Sequence, residues 1–96
     1  MLGIGQVRNG WRFIDVVVRP HHIAEGDPHD PWMHPVALAA VNARLPSAHV
    51  WRGVLHYGAD GAVLLPPGLE AWVLSGGSGR REWALPIAVP PDFIFD

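Results

Sequence analysis

The stretch HPVALAAVNARLPSAHVWRGVLHYGADGAVLL, residues 34–65, decides how this chain is read. It opens on His34 and Pro35, and a proline suits the first helical position, where its missing N–H has no partner to lose. Val36 to Leu45 follows without a glycine, and Pro46 stops it. Helical spacing puts Ala37, Leu38, Val41 and Leu45 on one face, with His34 above them at the start. Val36, Ala39, Ala40 and Ala43 make the opposite face, small and apolar where a solvent face would be charged. From His49 the period changes. His49 to Tyr57 reads as one strand, with Trp51, Leu55 and Tyr57 alternating with Val50, Arg52, Val54 and His56. Asp60-Gly61 signals a hairpin turn. With those two residues central, Tyr57 faces Leu64 and His56 faces Leu65 on the return strand, Ala62 to Leu65.

Upstream, Asn9-Gly10 is a hairpin signal, because both positions of a type I′ turn need φ > 0. It joins Ile4–Arg8 to the β-branched and aromatic segment Trp11–Arg19, so residues 1–14 are expected to form an N-terminal hairpin extension. Residues 20–34 show no period and are expected to be a histidine-rich loop. Downstream, Pro66-Pro67 opens a short helix with Leu69, Trp72 and Val73 on one face. A Gly-Ser loop, residues 75–81, leads to Trp83, Leu85, Ile87 and Val89 in strict alternation, and Pro86 places that strand at an edge or a bulge. The tail Phe93-Ile94-Phe95 is apolar and must pack. The order β-α-β-β-α-β predicts one α+β domain over residues 1–96. It is a small antiparallel sheet with two helices on one face, split-βαβ-like, plus the N-terminal β-hairpin.

Composition removes several classes of function. There is no cysteine, hence no disulfide framework, thiolate nucleophile or Cys-ligated zinc. Seven basic residues, all arginine, against nine acidic ones give −2, which is not the electrostatic footprint of a nucleic-acid binder. No apolar run approaches the roughly 20 residues that span a bilayer, and no signal peptide is apparent at Met1–Gln6, so a cytoplasmic protein is expected. With 49% hydrophobic residues and five tryptophans in 96, the chain has more bulk than so small a core readily hides. A homodimer or higher homo-oligomer is therefore expected.

Three groupings could carry chemistry. The histidine loop holds His21, His22, His29 and His34 with Asp27 and Asp30; these four imidazoles are the ligands should a metal bind, but the helical i, i+4 spacing of a zinc motif is missing. His34 also stands at a helix start, where the macrodipole disfavours imidazolium and the side chain can cap the helix. Ser75–Arg81 combines glycine-rich backbone with Arg80 and Arg81, which could hold a phosphate or carboxylate, although neither phosphate-loop spacing is present. Trp51 beside Arg52, and Trp83 near Arg81, offer aromatic faces next to cations. Trp72 and Trp83 are expected in the core, and Trp32 and Trp51 are expected to be available for contacts. A nucleophilic triad is not supported, no cofactor is implied, and catalysis is the minority reading.

The segments VVRPHHIAEG (17–26), HPVALAA (34–40), LPSAHV (45–50) and LPPGLEAWV (65–73), then a glycine turn and a proline-containing strand, resemble a family of small orphan proteins encoded mainly in phage and prophage genomes. The resemblance spans roughly residues 16–95. His22 matches the family's histidine, and His34 stands where many members have cysteine. The resemblance implies an accessory, counter-defence role in the cytoplasm of a bacterial host. Taken with the residues, it leads us to expect a non-catalytic oligomer that sequesters a small anionic, nucleotide-like ligand. The expected site is His21, His22, His34, Trp51, Arg52, Arg80 and Arg81. The alternatives are a protein–protein inhibitor of a host factor using a Trp-rich surface, and a metal-dependent hydrolase built on the histidine loop.

Overall fold

The computed structural model describes residues 10–96. In chain order it contains β1 (Arg12–Val18), α1 (Pro20–Glu25), α2 (Pro35–Asn42), β2 (His49–Trp51), β3 (Val54–Tyr57), β4 (Gly61–Leu64), α3 (Leu69–Leu74) and β5 (Trp83–Val89). The class is α+β and the strand pairing is antiparallel, as expected. The strands divide into two small sheets, β1-β5 and β2-β3-β4. The first strand of the expected N-terminal hairpin lies outside the described residues.

β1 and β5 run antiparallel with Ile14 opposite Ile87, Val16 opposite Leu85 and Val18 opposite Trp83. The alternation read from Trp83 to Val89 puts Leu85, Ile87 and Val89 inside with Val16 and Val18. Pro86 lies opposite Asp15 in a two-stranded ribbon, where its missing N–H breaks no central ladder. β1 carries α2, and α2 also packs on α1 and β2. Leu45, Val50, Leu55, Tyr57, Leu69, Trp72 and Val73 complete one continuous core.

Four expectations change. Residues 20–34 are not an unstructured loop, because Pro20–Glu25 is a helix. Pro20 ends a strand and starts that helix, and six residues are too few for a helical period to show. The remainder is pinned by side chains. Asp27 Oδ1 accepts from the His29 N–H at 2.9 Å, and Asp30 Oδ1 accepts from the Trp32 N–H at 2.9 Å. The Asp27 N–H closes on the Met33 carbonyl at 2.8 Å, and Pro31 O accepts from the Val50 N–H at 2.9 Å.

His49–Tyr57 is not one strand but a hairpin. Arg52 and Gly53 both take left-handed φ, 51° and 76°, and Trp51 pairs with Val54, so the connection is a two-residue turn with the φ signature of type I′. The β3–β4 register also differs. Tyr57 pairs with Gly61 and His56 with Ala62 across the three-residue loop Gly58-Ala59-Asp60. Gly58 supplies the positive φ of 64°. Gly61 is needed for space, since a Cβ there would strike the Tyr57 ring.

The back face of the main helix is buried within the chain. Val36, Ala39 and Ala40 are core, and Val41 of the expected inner face is exposed. The tail packs through Phe93 and Phe95 and leaves Ile94 in solvent. Among the described residues, no helix is long and apolar enough to cross a membrane.

Candidate functional site

The β2–β3 turn, the pinned loop before α2 and the first turn of α3 enclose a cleft of about 370 Å³. Its walls include His29, His34, Trp51, Arg52 and Glu70. Each side chain arrives there for a local reason. Trp51 and Arg52 sit at the tip of a tight hairpin. Arg52 holds a left-handed conformation that costs a non-glycine residue about 1 kcal/mol, and such strain clusters at working sites. Glu70 falls in the first turn of α3, behind Gly68 at φ 88°, where the positive helix end favours a carboxylate.

His34 forms the floor. It is buried, with its Nδ1 accepting from the Val36 N–H at 3.1 Å as the N-cap of α2. That bond fixes the tautomer: Nε2 carries the proton and donates to Glu70 Oε1 at 3.2 Å. Burial lowers the His34 pKa below its ordinary value, and the charge and hydrogen bond of Glu70 offset only part of that. The cleft therefore offers a half-exposed carboxylate held by a neutral imidazole, an indole, and a guanidinium 5.5 Å from that indole. Both nitrogens of His34 are engaged, so it is neither a general base nor a metal ligand in this arrangement.

The other expected site residues lie elsewhere. His22 is buried and structural. Its Nδ1 accepts from the Arg19 N–H at 2.9 Å at the start of α1, and its Nε2 donates to Asn42 Oδ1 at 2.6 Å, tying α1 to α2. Burial lowers its pKa, opposed by the Asn42 bond. His21 is exposed and packs on the His22 ring at 4.0 Å. Arg80 stacks over Trp83 at 4.0 Å and donates from Nε to the Glu82 carbonyl at 3.1 Å. Arg81 borders a separate cavity with Arg19, Pro20 and Glu82, where Arg19 Nε lies 3.6 Å from Glu82 Oε1. Thus the structure joins His34, Trp51 and Arg52, and does not bring His21, His22, Arg80 or Arg81 to them.

Among the described residues, no three of His, Asp or Glu are placed to hold a metal ion. Glu70 is the residue the sequence reading missed. It is 36 positions from His34, and its one local signal was an acid in a helix's first turn. The exposed indoles are Trp32 and Trp51; Trp72 is core and Trp83 packs partly against it. Trp32, His49 and His56 form a ladder of rings with centroids 4.5 and 5.0 Å apart. Compared with protein-family models, curated proteins and solved structures, the chain matches none.

Proposed function

We propose that this protein is a non-catalytic binding module that holds a small, planar, anionic ligand of nucleotide type in the cleft at Trp51. The observation that carries the reading is the convergence of Trp51, Arg52 and the His34–Glu70 pair on one cleft. The division of labour follows from the chemistry. The Trp51 indole stacks on a base. Arg52 meets a phosphate as a charged fork. Glu70 has its Oε1 on His34 and a second oxygen for the N–H edge of a base. A ligand with an anion at one end and N–H donors at the other satisfies both charges of the cleft.

The outer face of β2-β3-β4 supports assembly into an oligomer. Trp51 and Leu64 are exposed there, and neither they nor Val54 carries a charge. The resemblance to phage-encoded orphan proteins favours sequestration of a nucleotide-derived host signal as the biological use.

The test is isothermal titration of purified protein with a panel of mononucleotides, cyclic nucleotides and cyclic dinucleotides, alongside native mass spectrometry. Arg52→Ala and Glu70→Gln are expected each to weaken the best ligand by about tenfold or more, the loss of one charge-assisted contact. Unchanged affinity in Arg52→Ala would remove the cleft as the site.

A further inference from the structure

A second cavity, of about 550 Å³, shares no lining residue with the cleft at Trp51. It lies between the β3–β4 turn and the C-terminal segment after β5. Trp11, Tyr57 and Phe93 supply its aromatic walls, and Asp60 and Asp92 its charges. The two carboxylates come from different elements, and no arginine or histidine is among the described residues that line it.

Several polar groups of this cavity are acceptors or are already engaged. The Tyr57 hydroxyl donates its proton to the Ala88 carbonyl at 3.1 Å, so toward anything else that oxygen can only accept. The Gly58 N–H is held by the Pro46 carbonyl at 2.7 Å, and the Phe93 N–H by the Pro90 carbonyl at 3.1 Å. Pro46 and Pro90, also in the lining, have no N–H. Asp60 lies close enough to Tyr57 to add to the effect of burial in raising its pKa. An anion would find two carboxylates and, among the described lining residues, no arginine or histidine to offset them. A cation rich in N–H groups would find acceptors at the rim and ring faces inside.

We propose that this cavity binds an alkylguanidinium, the head group of an arginine side chain. The planar ion stacks on aromatic walls while its fork of N–H donors meets Asp60 and Asp92. The C-terminal aromatics already carry one such group: Arg12 lies 5.2 Å over the Phe95 ring, and Phe95 packs edge-on to Phe93 at 4.8 Å. A compact ammonium gains less, because it neither stacks nor forks.

The experiment is calorimetric titration of the full chain with N-acetylarginine amide, its neutral isostere N-acetylcitrulline amide, N-acetyllysine amide and agmatine. The arginine amide is expected to bind with millimolar or better affinity, and the citrulline amide at least about tenfold more weakly. Asp60→Asn with Asp92→Asn should weaken the arginine amide by about tenfold; both residues are exposed, and circular dichroism verifies the fold. Agmatine binding as well as the amide identifies a free small cation as sufficient, whereas preference for the amide identifies an arginine within a peptide. Equal binding of citrulline and arginine amides, no binding of the arginine amide up to about 10 mM, or an unaffected Asn double variant overturns the proposal.

Discussion

Lowering the pH from about 7.5 to about 5.5 is expected to destabilise this protein by uncapping two helices at once. Both His22 and His34 accept a backbone N–H at Nδ1, from Arg19 at 2.9 Å and from Val36 at 3.1 Å. A second ring proton would have to go on that nitrogen and would face another N–H. Geometry and burial therefore agree that both folded-state pKa values lie below the ordinary 6.5. The sign follows. Between the depressed folded value and 6.5 the unfolded chain binds more protons, so stability rises with pH. It is fully present above 6.5 and is lost as pH falls below that, down to the folded values. Each histidine gives a slope of at most about 1.4 kcal/mol per pH unit, so the pair gives at most about 2.7. The assay is urea denaturation at fixed pH steps through this window, repeated for His34→Asn. Asparagine keeps an N-cap acceptor but does not titrate, so that variant should show about half the slope. A denaturation midpoint unchanged between the two ends of the window, or an unaltered slope in His34→Asn, would refute the tautomer assignment.

Two substitutions separate the roles of the turns. Arg52→Gly should raise thermal stability by up to about 1 kcal/mol, because glycine adopts the φ of 51° without strain, while weakening binding in the cleft as Arg52→Ala does; a destabilised variant would mean the turn is not strained. Gly61→Ala should destabilise by about 1–3 kcal/mol in the same urea assay, because its Cβ meets the Tyr57 ring and backbone; a neutral result would show that β3 and β4 are not held in this register.

Much of the scaffold was legible because its signals are local. Pro35 at a helix start, the Leu69, Trp72, Val73 face and the alternation from Trp83 to Val89 all survive in the structure. What failed were elements too short to show a period. α1 is six residues long, and the Arg52-Gly53 turn lacks the Asn-Gly signature because an arginine occupies its first left-handed position. Gly61 is not central in its turn but pairs with Tyr57, and it is needed there for contact with the ring of that residue, four positions earlier.

The candidate site shows the same division. The histidines stood out by number, yet imidazole is also a good cap, and only their bonds tell which use is made of them. His22 joins two helices, and His34 caps one while holding Glu70. From the sequence alone come the α+β class, the antiparallel pairing, the inner faces of the last strand and the last helix, and the absence of thiol chemistry. Tertiary structure alone decided the split into two sheets, the meeting of His34 with Glu70 and the gathering of Asp60 and Asp92 around one cavity. Periodicity reports which way a side chain faces along its own element. Convergence of residues dozens of positions apart depends on how the elements pack, and that is fixed by the volumes and contacts of the whole core.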